Sequence, residues 1–229
     1  MKRILTIQDI SCFGKCSLTI SLPVISAMGV ETVILPTAVL STHTLFQGVQ
    51  VCDLKDQLLS FALHWKSQDV HFDAIYTGYL GTEEEIGITE QIIDLFREDK
   101  TLVFIDPVMG DNGRLYAAFD ELYAKRNARF CAKGDIIVPN ITEACLMTGM
   151  EYRTDYQKAY IREMLDRLAG LGARTVVLTG VSLEEGKTGV CGLDTVTGET
   201  FLYQNDRVNA SYHGTGDLFS SVRDRKSVV

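Results

Sequence analysis

Short apolar runs alternate with helical stretches along this 229-residue chain, and that alternation leaves few folds open. Arg3–Ile7, Thr32–Leu35, Ala74–Tyr76, Leu102–Ile105, Ile136–Val138 and Thr175–Leu178 read as short buried strands. Between them, Leu18–Met28, Leu54–Lys66, Glu83–Arg97, Phe119–Phe130, Ile141–Met147 and Tyr156–Ala169 read as helices. Gly29 closes the first of these, and acids occupy the first turn of the third, the favourable end of its dipole. Repeated strand–helix units pair their strands in parallel and cover the sheet with helices on both faces. The predicted class is therefore α/β with a mainly parallel central sheet. Lys187–Gly192 and Thr200–Gln204 flank Asp194-Thr195-Val196-Thr197-Gly198, the pattern of a hairpin. With no linker, low-complexity tract or internal repeat, a single domain is expected.

Composition narrows the function classes. At 46% hydrophobic and 23% charged residues, the chain can build one full core. A formal charge of −8 argues against nucleic acid or an anionic membrane as the main partner. It does not argue against nucleotide, whose site is governed by Mg²⁺ and local backbone dipoles. Met1 to Ile7 runs directly into a strand pattern, and no apolar run approaches the ~20 residues of a membrane span. A cytoplasmic location is expected. Cys12, Cys16, Cys52, Cys131, Cys145 and Cys191 are scattered without a C-x-x-C pair, so neither zinc nor a disulfide framework is signalled.

In an open parallel sheet, ligands gather beyond the carboxyl ends of the strands. The residues predicted there are Gln8 and Asp9, Gly78 and Tyr79, Asp106, Asn140 and Glu143, and Thr179 and Gly180. One further segment carries chemistry. In Asn209–Ser221, Gly214, Thr215, Gly216 and Asp217 stand where a polar loop turns into a helix of small and apolar residues. Two glycines allow successive amides to converge on one anion, and the helix start adds its positive dipole end. A carboxylate beside a phosphate is repulsive unless it acts as a base on a hydroxyl attacking that phosphate. The segment thus has the arrangement of a small-molecule kinase. Taken alone, it is equally a glycine-rich turn with an Asp at a helix cap.

Three segments in order, Asp106-Pro-Val-Met-Gly-Asp111, Pro139-Asn-Ile-Thr-Glu143 and Gly214-Thr-Gly-Asp217, resemble the ribokinase-like superfamily. Ile7-Gln8, Ser41-Thr-His-Thr44, Thr77-Gly-Tyr-Leu-Gly81 and Gly214-Thr-Gly-Asp-Leu-Phe219 are similar to segments of its vitamin B6 kinases. The resemblance covers Met1 to Val222 and implies a three-layer sandwich. It also implies transfer of the ATP γ-phosphoryl group to the 5′-hydroxymethyl of pyridoxal, pyridoxine or pyridoxamine. By that resemblance Asp217 is the base, and Gly214, Thr215 and Gly216 hold the transferring phosphoryl. Asp106 and Glu143 would hold Mg²⁺ and its water shell, hard oxygen ligands suiting that ion. Asn140 would assist near the phosphates, and Asp111 and Thr179 would sit near the nucleotide. The pyridine ring would lie near Asp9, Ser11, His43, Thr44 and Tyr79; Tyr79 offers an aromatic face with a hydroxyl, and Thr44 can donate or accept. A monovalent cation near the phosphates and a homodimer belong to the same expectation, although no exposed apolar stripe requires the dimer.

Several of these residues have plainer readings. His43 is also a loop histidine able to bond backbone, Tyr79 a core aromatic with its hydroxyl outward, and Asp106 a strand-end turn residue. Glu143, three residues after Asn140, is a capping-box partner, a role compatible with a metal shell. His64 and His71 read as surface residues and His213 as structural. Two departures from the family pattern stand out. Asp9 occupies a place where many B6 kinases carry a serine that touches the ring. Arg223–Val229 matches nothing in a family whose members continue with further helices, so a truncated frame is expected, with a short, partly uncovered helix over Asp217–Val222. The competing functions are a hydroxymethylpyrimidine kinase and a non-catalytic vitamer-binding remnant.

Overall fold

A computed structural model describes residues 1–210 and 213–228, with side chains as far as residue 222; Ser211, Tyr212 and Val229 lie outside the described residues. In chain order the elements are β1 (Arg3–Ser11), α1 (Leu18–Ala27), β2 (Glu31–Leu40), β3 (Val51–Asp53), α2 (Lys55–Ser67) and β4 (Ala74–Thr77). Next come α3 (Glu83–Phe96), β5 (Leu102–Ile105), β6 (Gly110–Asp111), β7 (Arg114–Leu115), α4 (Glu121–Phe130) and β8 (Ile136–Ile137). The chain continues through α5 (Ile141–Thr148), α6 (Lys158–Ala169), β9 (Thr175–Val181), β10 (Lys187–Asp194), β11 (Thr200–Asp206) and α7 (Thr215–Val228).

Nine strands form one mainly parallel sheet in the order β11-β10-β9-β8-β5-β4-β1-β2-β3, with β6 and β7 as a separate two-stranded ribbon. β1 is parallel to β2 and to β4, and β8 to β9. Both ends of the sheet turn antiparallel, through β3 against β2 and through the hairpin β10–β11 against β9. The α/β reading holds, with three corrections of detail. β1 and β9 are longer than the apolar runs suggest, so Asp9, Ser11 and Thr179 sit within strands rather than in loops after them. Ser11 stays in the ladder opposite Leu40 and Thr179 opposite Val190, whereas Asp9 stands at the register shift of β1 between Gln8 and Ile10. The short β3, β6 and β7 lack apolar alternation and left no signal. The last helix begins at Thr215 and runs to Val228, longer than expected; Leu218 and Val222 are 47% and 40% exposed.

Two compact units are distinguishable: Met1–Phe104 with Tyr212–Val229, and Ile105–Ser211. In the first, the step from β1 to β2 runs one way along the sheet and the steps from β2 to β4 and β5 run the other. Right-handed crossovers then place α1 on one face and α2 and α3 on the opposite one. The packing agrees: α1 lies on β1, β2 and α7, while α2 lies on α3 and β2. Ile4, Leu5, Ile7, Leu35, Ile75 and Phe104 fill this core, and Tyr76 meets Phe104 edge to face at 5.3 Å. In the second unit, α5 packs against α4, α6 and β9, over buried Ile137, Val176, Val177 and Leu178.

Phe104 is 1% exposed and supports the Tyr76 ring, so Phe104→Ala removes both burial and an aromatic pair. It is expected to cost about 3–5 kcal/mol, read as a lower urea midpoint with an unchanged slope.

Candidate active site

The first unit gathers one acidic cluster around Asp217. Gly214 has φ 73°, and a Cβ there would lie 2.2 Å from Ile20 Cδ1 and 2.7 Å from the Lys15 carbonyl oxygen. Conformation and space both demand glycine. Gly216 differs: a Cβ would meet nothing within 4 Å, so no protein atom excludes a side chain there. The first bond of α7 runs from the Leu218 amide to the Gly214 carbonyl at 2.9 Å, which leaves the Gly216 amide unused by the helix ladder. Asp217 stands in that first turn, and its Oδ2 accepts the Ser17 amide at 2.9 Å. Burial raises the Asp217 carboxyl above the ordinary range, the Ser17 amide opposes the rise, and the charge of Asp9 adds to it. A raised carboxyl with a fixed orientation is a better proton acceptor than a solvated aspartate.

The residues expected at the ring divide into an inner and an outer group. Asp9 and Ser11 are buried on β1 at 3% and 2% exposure, with the Ser11 hydroxyl donating to Asp9 Oδ2 at 3.0 Å. Burial also raises Asp9, against hydrogen bonds from Ser17 and Ser11. Tyr79 is half-buried, and its phenol is pushed up to about 12 by burial together with the charges of Asp9 and Glu85. These three therefore share one electrostatic neighbourhood with Asp217. His43 belongs to the outer group. Its ring lies against Gly14, where a Cβ would stand 2.1 Å from Cδ2, and 4.7 Å and 4.5 Å from the rings of Phe46 and His213. Tilted ring contacts, more than backbone bonding, define it, because the Leu45 N–H to Nδ1 contact is as long as 3.4 Å. Thr44 is exposed in the turn that follows. The glycine of Thr77-Gly78 is explained by packing: a Cβ would lie 2.8 Å from the buried Gln8 amide.

The second unit holds the residues expected at the nucleotide. Asn140 caps α5 in a reciprocal box: its Oδ1 accepts the Glu143 amide at 2.9 Å, and Glu143 Oε2 accepts the Asn140 amide at 2.8 Å. Glu143 Oε1 also accepts the Met109 amide at 3.0 Å, and Asn140 Nδ2 donates to the Gly110 carbonyl at 2.9 Å. Burial raises Glu143, opposed by the amides of Asn140, Met109 and Gly110. The carboxylate thus staples the loop after β5 to the start of α5, in addition to any part it takes at an ion. Asp106 is buried at 7% exposure at the head of that loop. Asp111 is exposed on β6, its two oxygens taken by the amide and side chain of Asn112. Thr179 donates its amide to the Pro139 carbonyl at 2.9 Å, which ties β9 to the residue preceding Asn140.

Among the described residues no group of three or more His, Cys, Asp or Glu side chains gathers as an all-protein metal cage would. Asp106 and Glu143 fit Mg²⁺ nonetheless, since that ion is normally held by one or two carboxylates together with substrate phosphates and water. No described helix is long and apolar enough to cross a membrane. One neighbour of Asp217 escaped the sequence. Ser17, at φ 50°, aims its amide at a residue two hundred positions away, a pairing no local pattern announces. Cys16 lies beside Asp9 and Asp217, and burial together with their charges raises its thiol, which disfavours a thiolate nucleophile.

A family profile described as phosphomethylpyrimidine kinase matches residues 20–223. The pyridoxine/pyridoxal/pyridoxamine kinase of Bordetella avium is 30% identical over 225 residues, covering 94% of this chain and 74% of that protein. Other curated pyridoxal kinases are matched over shares of their own length such as 50% and 76%. A Bacteroides thetaiotaomicron protein described as a candidate phosphomethylpyrimidine kinase superposes with a TM-score of 0.95 at 38% identity, over 98% of this chain and 78% of that one. A second crystal form of it, with pyridoxal, gives 0.93, over 98% and 79%. Pyridoxal kinase from Lactobacillus plantarum gives 0.90 at 31% identity, over 100% of this chain and 81% of that one.

The two loop glycines should respond differently to alanine. Gly214→Ala meets both a left-handed backbone and two contacts below 3 Å, so a loss of about 1–3 kcal/mol is expected. Gly216→Ala should leave stability within about 0.5 kcal/mol, with thermal melts of the two variants as the check.

Proposed function

Because the chain belongs to the phosphomethylpyrimidine kinase family, and within it to the pyridoxal kinases, we propose that it phosphorylates the 5′-hydroxymethyl group of B6 vitamers with ATP. The observation that carries this reading is the Asp217 carboxylate, oriented by the Ser17 amide in the first turn of α7 beside Gly214 and Gly216. Asp217 accepts the proton of the vitamer hydroxyl as its oxygen forms a bond to the γ-phosphorus. The bond from that phosphorus to the β-bridging oxygen breaks, and ADP leaves with the electron pair. The amides about Gly216 lie at the positive end of α7, where they stabilise charge on the transferring group.

Asp9, Ser11 and Tyr79 recognise the heterocycle, with His43 and Thr44 at its outer side. In the second unit Asn140, Asp111 and Thr179 serve the nucleotide, while Asp106 and Glu143 hold Mg²⁺, which when bound neutralises charge on the phosphates. Asp9 in place of a ring-touching serine gives the ring an acceptor that can carry charge, so vitamer preference is decided there. A monovalent cation, a homodimer and a cytoplasmic location complete the reading. Hydroxymethylpyrimidine is the competing acceptor, since it offers the same hydroxymethyl on a similar ring and the family profile bears its name. Pyridoxal kinases among the relatives favour the B6 vitamers.

Initial rates with MgATP and pyridoxal, pyridoxine, pyridoxamine or hydroxymethylpyrimidine rank the acceptors. A B6 vitamer should lead in kcat/KM, and EDTA should abolish turnover. Asp217→Asn should lower kcat by ~10²–10⁴ while pyridoxal binding, followed by calorimetry, stays within a few-fold. Turnover indifferent to that substitution, or vitamer binding without any phosphorylation, would instead mark a non-catalytic vitamer binder.

A further inference from the structure

Glu85 is only 4% exposed although it lies in the first turn of a helix, where an acid ordinarily faces water. Thr82 caps that helix, its hydroxyl accepting the Glu85 amide at 3.1 Å. In a reciprocal box the acid three residues on returns to the amide of the cap residue itself, as Glu143 does to Asn140. Glu85 meets the Thr82 amide and also reaches one residue further back, where its Oε2 accepts the Gly81 amide. A Cβ placed on Gly81 would lie 3.4 Å from Glu85 Oε2 and 3.7 Å from Tyr79 Cε1, so carboxylate and ring converge on the same stretch of backbone. The turn Tyr79-Leu80-Gly81 is therefore tied to α3 by a buried side chain, beyond what capping the helix requires.

We propose that Glu85 is a positioning residue for acceptor binding, fixing the turn that carries Tyr79 and so the face presented to the heterocycle. The inference rests on the reading of Tyr79 as a ring contact. A residue serving α3 alone would need only the Thr82 cap. One serving the turn must hold the Gly81 amide, and that distinguishes the substitutions. Glutamine keeps an acceptor of the same reach, aspartate falls short by one methylene, and alanine removes the acceptor.

The charge on Glu85 supplies a second signature. Burial pushes its carboxyl up to about 7; the Gly81 amide opposes this, Asp53 on β3 adds to it, and Thr82 and Lys55 on α2 oppose it. Because the folded value lies above the ordinary 4.5, the folded protein holds this proton more tightly than the unfolded chain. The stability so gained is full at low pH and is lost as pH rises from about 4.5 through about 7. Glutamine carries no charge to bury, so Glu85→Gln should raise Tm relative to the wild type at pH 8 and little at pH 4.

Steady-state kinetics on the full chain decide the matter. Glu85→Ala and Glu85→Asp should raise the pyridoxal KM by roughly ten-fold, within what a misplacement of about 1 Å can do, with kcat and the ATP KM within about two-fold. Glu85→Gln should keep the pyridoxal KM within about two-fold of the wild type. An unchanged pyridoxal KM in the Ala and Asp variants, an equal rise in the ATP KM, or a Gln variant as impaired as Ala would overturn the proposal. Should Glu85→Ala fail to fold by circular dichroism, the Asp and Gln variants decide by the same criterion. Wild-type protein that phosphorylates no B6 vitamer removes the reading of the site and this inference together. An active wild type with indifferent Glu85 variants removes the inference alone.

Discussion

The bond from the Ser17 amide to the Asp217 carboxylate is the contact that brings the ends of the first compact unit together, and the proposed chemistry rests on it. It joins the cap of α1 to the first turn of α7 across nearly the whole chain. A carboxylate in that place has two conflicting requirements: desolvation must make it basic, yet it has to remain available to lose and regain a proton. Burial and the nearby Asp9 raise its affinity for the proton, and the amide restrains the rise while fixing its direction. Ser17 achieves this at φ 50°, a conformation uncommon for a residue with a Cβ and costly to hold unless its surroundings enforce it. The bridge between Ile10 and Ser17 and the bonds from the Ile20 and Ser21 amides to the Ser17 carbonyl hold that backbone.

Acidic side chains are used in two different ways in this chain. Burial raises both Asp9 and Asp217, and the charge of Asp9 adds to the rise at Asp217. Glu143 is buried with amides from three residues, the state of a structural anchor, and it holds the loop that begins at Asp106. The distinction lies in the kind of donor: Glu143 takes backbone amides from two segments, whereas Asp9 takes the hydroxyls of Ser11 and Ser17 along with its own amide.

Much of this was legible in the sequence. The strand–helix alternation gave the parallel sheet because runs such as Leu102–Ile105 are buried on both faces and show no polar alternation. The C-terminal hairpin followed from its turn residues, and the Asn140–Glu143 box from its spacing. Strand ends were illegible where polar residues stay in the ladder, as at Ser11 and Thr179, because there the strand abandons the apolar code before it abandons its hydrogen bonds. The edge strand β3 is exposed throughout and had no pattern to offer. Motifs pointed to Asp217, but its partner Ser17 is a product of tertiary packing, which spacing along one chain does not encode. Glu85, four residues after Gly81, is local and was overlooked because an acid in the first turn of a helix reads as an exposed one.

The first compact unit is discontinuous: its final helix is synthesised only after the whole of the second unit has been made. A nascent chain can thus arrange β1, α1 and the Tyr79 turn while the acid they await is still unmade. Folding of the intervening residues draws the two ends of that insertion together and lowers the entropy cost of bringing α7 back to α1. Asp217 is in this sense fitted after the segment that holds it, since Ser17 precedes the second unit and Asp217 follows it.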